Sequence, residues 1–250
     1  MILEKLPISV CILVKNEAER LPRCLGGLHS FAEVLVLDTG STDQSVAIAK
    51  KYGAKVESSP WLGFTKNRRQ LFSKATQSWI LWLDADEVIT EGLLGSIAKF
   101  IQNVPASIGG AKINRMVYFE NKWVRHGHWF PNWNGRLFRA NSWEMQDRDV
   151  HESISLKQGE WVQIDGLLEH YSFRNWEDFR RRSEKYAKLW AEQKRKEGKK
   201  GGIIKGLLHA SWSFFRGYVM RKGFLDGWMG LRIAWSVSGE VMLKYKILQG

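Results

Sequence analysis

The sequence predicts an α/β fold: a mostly parallel sheet with helices on both faces, followed by a basic helical appendage. Three observations carry this expectation. Segments such as "ISVCILV" (8–14) and "WILWLD" (79–84) are short and apolar throughout, as strands buried on both faces must be. The stretches between such segments have helical spacing, and strand–helix alternation at this pitch builds right-handed βαβ units around a parallel sheet. The charge is divided unevenly: residues 1–173 carry 20 Lys/Arg against 19 Asp/Glu (+1), whereas residues 174–250 carry 18 against 7 (+11). A near-neutral domain that carries the chemistry (1–173) and a basic, Trp-rich helical region (174–250) are therefore expected.

Each element follows in order. "ISVCILV" is the first strand, and "KNEAERLPRCLGGL" after it has helical spacing at Ala18, Leu21, Leu25 and Leu28. "EVLVLD" (33–38) is a second buried strand. In "TGSTDQSVAIAKKYG" Ser41 is placed to cap a helix, with Gln44 three residues on and Gly53 as its stop. "AKVESSP" gives a short third strand, "KNRRQLFSKAT" a helix and "WILWLD" a fourth strand, and Thr90 caps a helix running to about Asn103. Beyond Pro105 the pattern alternates: "GAKINRMVYFENKWVRHG" reads as a hairpin turning at Glu120–Asn121, and "GRLFRA", "VHESIS" and "EWVQIDGLLEHYS" as short strands. Three helices are expected last, over 175–197, 203–221 and 225–247.

With 44% hydrophobic and 12% aromatic residues, 250 residues suffice for a large core and exclude a disordered chain. Two cysteines, Cys11 and Cys24, make no disulfide framework and fit a reducing cytoplasm. The start "MILEKLPISV" lacks a basic stretch followed by a long apolar run, so no secretory signal is expected.

In parallel sheets ligands bind at the carboxyl ends of the strands, and both Asp38 and Asp84 fall there. Asp84, Asp86 and Glu87 then crowd three carboxylates into four positions. A D-x-D pair at a strand end suits a divalent cation shared with phosphates, because Mg²⁺ and Mn²⁺ take one or two carboxylates and leave the rest of their shell to the substrate. Alone, the pattern fits a solvated turn equally well. Asp38 and the basic "TKNRR" between the two strand ends favour the metal–diphosphate reading.

The ordered segments "ISVCILVKNEAERLPRCL", "VLVLDTGSTDQS" and "GFTKNRRQLFSKATQSWILWLDADE" resemble the nucleotide-sugar-binding half of family 2 glycosyltransferases, of the Rossmann-like GT-A type. More narrowly they resemble the WaaE/KdtX lipopolysaccharide core β-1,4-glucosyltransferases. The likeness continues through "GRLFR", "VHESI" and "EHYS" to "GFLDGWMGLRIAW", nearly the whole chain.

That resemblance implies a UDP-sugar donor, with backbone at Leu13 and Val14 near the base, Asn16 and Glu17 beside it, and Asp38 accepting from uracil. Lys66–Asn67 stand where the family commonly has Arg-Asn. Lysine loses the two-pronged guanidinium geometry, so Arg68 or Arg69 is a substitute. Asp84 is implied at the ribose or a metal-bound water, Asp86 on Mg²⁺ or Mn²⁺, and Glu87 as an orienting group. His170, in "LLEHYS", is a candidate further metal or diphosphate ligand, or else a satisfied structural residue at a strand end. Glu152 is implied as general base, beside His151 and with Asp147 and Asp149 as competitors. Arg136 and Arg139 face the diphosphate or an acceptor phosphate, or are plain strand charges. "RHGHW" (125–129) lines an acceptor groove or packs.

The implied reaction is an inverting hexosyl transfer from UDP-glucose to a glycolipid, an inner-core heptose of lipopolysaccharide, at the inner face of a bacterial cytoplasmic membrane. The basic, aromatic helices from Gly206 onward suit an anionic membrane surface, and their longest uncharged run, "GLLHASWSFF", is too short to span one. The alternative acceptors are another polysaccharide, lipid or protein. A sugar nucleotidyltransferase would want a Gly-rich loop after the first strand, where "VKNEAERL" has none. A nucleic-acid-binding protein fits the tail, but the convergent carboxylates would repel phosphates.

Overall fold

The computed structural model describes residues 5–120, 122–145 and 154–249. In chain order the strands are β1 (Leu6–Val14), β2 (Phe31–Asp38), β3 (Lys55–Ser58), β4 (Trp79–Asp84), β5 (Glu87–Ile89), β6 (Ile108–Phe119), β7 (Lys122–Trp123), β8 (Trp133–Arg139), β9 (Trp143–Met145), β10 (Ile154–Leu156) and β11 (Glu160–Phe173). The helices are α1 (Leu21–Gly26), α2 (Ser45–Lys51), α3 (Phe64–Phe72), α4 (Glu91–Asn103), α5 (Trp176–Lys196), α6 (Ile203–Phe215) and α7 (Gly227–Gln249). A π-helical turn, Arg216–Met220, and a 3₁₀ turn, Gly223–Asp226, join the last two.

The main sheet runs β3-β2-β1-β4-β8-β6-β11-β5, with β7 paired to β6. β3, β2, β1 and β4 are parallel, and the pairs β4–β8, β6–β8 and β5–β11 are antiparallel. The α/β architecture is the expected one. Its parallel half is extended by antiparallel strands because after Pro105 the chain returns through hairpins rather than crossover helices. β1 lies between β2 and β4, with Val14 in register with Asp38 and Leu13 with Asp84. The two acidic strand ends therefore flank the end of β1, where the order of the parallel strands reverses.

Alternation explains why these strands are apolar on both faces. Ile8, Val10 and Ile12 of β1 and Leu81 and Leu83 of β4 join the core that also holds Leu93 and Ile97 of α4. Cys11, Ile80 and Trp82 point the other way, into a core with Leu71 and Phe72 of α3. Both cysteines are free and buried. Thr90 caps α4, its Oγ1 accepting the Leu93 N–H at 3.2 Å. The turn of the β6–β7 hairpin includes Glu120 at φ 46°, as the sequence pattern suggests. Gly110 and Gly135 make room for the Trp161 ring, which a Cβ at either position would approach to 2.5 and 2.6 Å.

Two local expectations fail for physical reasons, and one strand goes unread. α2 begins at Ser45, not after Ser41, because the Ser41 hydroxyl accepts the Asn16 N–H at 2.9 Å and is spent on joining two loops. The helical spacing from Ala18 yields only the six residues of α1, since Asn16 turns the chain at φ 55° and the Glu17 and Ala18 N–H groups bond to Ser45 and Asp43. β5 is three residues long, too short for a period to register.

The described residues fall into two compact units: one runs to Arg115 and includes Asn132–His170, the other comprises Met116–Pro131 and the chain from Tyr171. The second has its own core of Phe119, Val124, Phe179 and Ile233, edged by Trp129, Phe173 and Trp176. α5 begins at Asn175, whose side chain accepts the Asp178 N–H at 2.9 Å, and ends on Lys194, Arg195 and Lys196, which suit its dipole. Within this unit "RHGHW" packs. The Asp226 carboxylate accepts the Arg125 and His126 N–H groups at 3.1 and 2.8 Å, and His128 lies against Gly217.

At the end of the first unit's sheet away from the acidic cluster, Glu33 is buried and accepts from Ser9 Oγ (2.6 Å), Lys55 Nζ (2.7 Å) and the Thr76 N–H (2.9 Å). Burial opposes its ionisation, but the bonds from Lys55, Ser9 and Thr76 prevail and lower its pKa from 4.5 to about 2. A depressed carboxylate contributes stability above its unfolded pKa and loses it as the pH falls toward the folded one. Glu33→Gln is thus expected to cost about 2 kcal/mol at pH 7, after discounting for exposed Lys55, and the gap to close below pH 4.5. Urea unfolding of both proteins across that range checks this; a gap independent of pH contradicts it.

Candidate active site

Two loops form one side of the sheet's carboxyl end, following β1 and β2. Asp38 is buried, and its carboxylate accepts the N–H groups of Gly40 (3.1 Å) and Ser41 (3.1 Å) in a turn that Gly40 makes at φ 92°. Asn16 Oδ1 accepts the Thr42 N–H at 2.8 Å, and the Val14 carbonyl accepts the Thr39 N–H at 2.9 Å. Glu17 pairs with Arg20 at 3.8 Å. Leu13, Val14, Asn16, Glu17 and Asp38 thus lie on one hydrogen-bonded rim.

The other side is the acidic end of β4. Trp82 and Asp84 share a face of the strand, being two residues apart, so the indole Nε1 donates to Asp84 Oδ1 at 3.1 Å. Arg68 of α3 reaches the same oxygen at 3.0 Å, and Arg136 of β8 reaches Oδ2 at 2.8 Å. Both guanidiniums lie against the Trp82 ring, 4.3 and 4.5 Å from its centre. Arg136 also donates to Glu87 Oε1 at 2.6 Å, with Arg115 of β6 at 3.4 Å from that oxygen. Glu87 Oε2 accepts the Asp84 N–H at 2.9 Å and so fixes the turn between the two acids.

Burial works against the charge on Asp84, yet Arg136 and Arg68 outweigh it and hold the carboxyl far below its usual range. Burial dominates at Glu87 and raises its pKa despite Arg136. Arg136 itself is raised, its own burial being overcome by Asp84 and Glu87.

Asp86 stands apart from this network. Its Oδ1 lies 3.5 Å from His170 Nε2 and its Oδ2 3.5 Å from Arg20 Nη1. β11 brings His170 there by pairing with β5, His170 opposite Glu87. Burial raises the Asp86 carboxyl pKa, but the hydrogen bond and charge of His170 lower it further than that. Both side chains are about 15% exposed. A hard carboxylate oxygen and an imidazole nitrogen converging at a rim fit a divalent cation that takes its remaining ligands from phosphates and water. Among the described residues no cluster of three His, Cys, Asp or Glu forms a cation site.

Other expected residues lie elsewhere. Arg139 is opposite Trp79 at the far end of β4, stacked on that ring and donating to the Ile108 and Pro105 carbonyls; the antiparallel register that delivers Arg136 beside Trp82 carries Arg139 away. Asn67 is fully buried, its amide bracing Leu62, Ser59 and Pro60. Lys66 is exposed on α3, and Arg69 donates to the Met145 carbonyl. Glu152 and His151, with Asp147 and Asp149, lie outside the described residues. Trp82, Arg115 and Arg20 are site residues that motif reading misses; only the i, i+2 spacing of Trp82 and Asp84 marks one of them in the sequence.

A model of glycosyl transferase family 2 matches residues 9–158, more than half the chain. The chain belongs to glycosyl transferase family 2. It is a glycosyltransferase by that membership, and His170 lies beyond the matched span. Among its relatives is the lipopolysaccharide core biosynthesis glycosyltransferase LpsC of Rhizobium meliloti, 24% identical over 97% of this chain and 94% of LpsC. An uncharacterized glycosyltransferase of Rickettsia felis is 28% identical over 89% of this chain and 82% of its own. A crystal structure of S. aureus TarS 1-349 in complex with UDP aligns at 22% identity with a TM-score of 0.40, over 53% of this chain and 46% of that one. The chain thus spans under half the length of that solved chain.

Arg136→Met leaves buried Glu87 and part-buried Asp84 without their shared cation and is expected to cost about 3–5 kcal/mol. Asp86→Asn keeps the side chain's shape and weakens only the 3.5 Å pairs with His170 and Arg20, so it is expected to cost about 1 kcal/mol. Urea denaturation of the two variants measures the contrast, and equal losses contradict the division of roles.

Proposed function

We propose that this family 2 enzyme transfers a hexose, glucose from UDP-glucose, with inversion to a glycolipid acceptor, an inner-core heptose of bacterial lipopolysaccharide. The observation that carries the donor half is the Asp86–His170 pair, 3.5 Å apart beside the Asp38 rim. Asp86 and His170 hold Mg²⁺ or Mn²⁺, which when bound neutralises charge on the leaving diphosphate. Asp38 reads the uracil edge, for which its carboxylate keeps acceptor capacity beyond the two turn N–H groups. Asp84, held by its two arginines, orients the ribose side. Leu13, Val14, Asn16 and Glu17 shape the base and ribose rim, and Lys66, exposed on α3, is a further cation for the donor.

Glu152 is the general base. It takes the proton of the acceptor hydroxyl as that oxygen bonds to the anomeric carbon and the bond from that carbon to UDP breaks. The acceptor class is supported by the relative named for lipopolysaccharide core biosynthesis, which aligns along nearly all of both chains. In this reading residues 1–173 are the donor-binding and catalytic domain, and the enzyme works at the inner face of the cytoplasmic membrane.

UDP is expected to raise the melting temperature only with Mn²⁺ or Mg²⁺ present. At about a hundredfold excess over Kd the gain is about 3 kcal/mol, several degrees in Tm. Stabilisation by short oligonucleotides instead of UDP would contradict the donor assignment. Glu152→Gln is expected to lower transfer by about 10²–10⁴-fold while UDP still stabilises the protein. Near-normal turnover removes Glu152 from the role of base.

A further inference from the structure

α6 is built inside out. Gly206 packs against Met242 and Tyr245 of α7, so closely that a Cβ would come within 2.8 Å of Tyr245. Gly217, in the π-helical turn, is likewise buried. The bulky residues face away: Ile204 is 78% exposed, and Leu208 and Trp212, one turn apart, are 67% and 55% exposed. An amphipathic helix of a soluble domain does the reverse, turning its large apolar side chains to the core.

The exposed surface continues past the helix. Trp235 of α7, 72% exposed, lies against Phe214, and Tyr218 meets Phe224 of the 3₁₀ turn. Trp228, at the start of α7, is 74% exposed. Among the described residues, twelve of the eighteen exposed large hydrophobic side chains fall between Ile203 and Trp235. Concentration of this kind marks an interaction surface, whereas singly scattered exposed hydrophobics need no explanation.

Charge selects the partner. From Ile203 to Leu225 there is no Asp or Glu, while Lys205, Arg216, Arg221 and Lys222 all lie there and all are exposed. Docking of a second copy on this face would oppose like charges across an apolar contact. An anionic bilayer offers the complement to both features: acyl chains for the apolar stripe and headgroup phosphates for the cations. The exposed tryptophans suit the headgroup level, where one end of the ring is apolar and the other wet. The 13 residues of α6 extend about 20 Å, short of the ~30 Å hydrocarbon core, and no helix among the described residues is long and apolar enough to cross a membrane.

We propose that the outward face of α6, the two short turns after it and the start of α7 form a membrane-seating surface. On it α6 lies parallel to an anionic leaflet with Leu208 and Trp212 inserted. The inference stands on this unit's own geometry and needs no donor or acceptor to be correct, so it fails or survives separately from the proposed reaction.

Vesicle flotation of the full chain tests it, with phosphatidylcholine alone and phosphatidylcholine mixed with phosphatidylglycerol, at low and high salt. The protein is expected to float with the mixed vesicles, less at high salt, and little with the neutral ones. Leu208→Ser/Trp212→Ser is expected to weaken partitioning about tenfold or more. Because both side chains are exposed, its circular dichroism melt should match the parent's. Trp228→Ser/Trp235→Ser, on the other helix, is expected to weaken it as well. Absence of flotation, or equal flotation of parent and both double variants, overturns the proposal. So does a concentration-dependent dimer in light scattering that the same substitutions dissolve while flotation is absent.

Discussion

Three carboxylates at the end of a strand that is otherwise sealed in the sheet would repel one another, and each would lose water's solvation. The structure meets this with Arg136, which reaches Asp84 at 2.8 Å and Glu87 at 2.6 Å with one nitrogen. Arg68 and Arg115 complete the compensation from α3 and β6. An ionised carboxylate in such a place is tolerated only when paired and hydrogen-bonded, and Asp84 and Glu87 are both. Because Glu87 also holds the Asp84 backbone N–H, the same network sets the turn on which Asp86 sits.

The network divides the acidic cluster in two. Asp84 and Glu87 are engaged by arginines, and Asp84 also by Trp82. Asp86 is turned to the rim, where β5 begins and where pairing with β11 delivers His170. A strand of three residues thus joins positions far apart in the chain. Trp82 serves core and network together, packing behind the strand while its ring seats two guanidiniums.

Much of this was legible in the sequence where the signal is local. The buried strands, the Thr90 cap, the hairpin at Glu120 and the helix opening at Asn175 each follow from a few adjacent residues. The acidic strand end and Asp38 were legible as site material for the same reason. What escaped is long-range. Arg136 and Arg139, three residues apart on one strand, fall on opposite faces, and the register against β4 sends one to Asp84 and the other to the far edge. Asn67 looks like a binding residue until burial assigns its amide to the loop before α3. Ser41 has the spacing of a cap, but a partner on the neighbouring loop takes its hydroxyl. In α6 the helical period is plain, yet which side is packed depends on the small residues that meet α7.

The central claim is that, within the acidic cluster, Asp86 and His170 are the cation's ligands and Glu87 is scaffold. Electron paramagnetic resonance of Mn²⁺ titrated into the protein with UDP present tests it most directly. The parent should take up Mn²⁺ in a UDP-dependent way, and Asp86→Asn and His170→Ala, each folded by circular dichroism, should weaken uptake about tenfold or more. Undiminished uptake by folded His170→Ala, or by folded Asp86→Asn, would contradict the account.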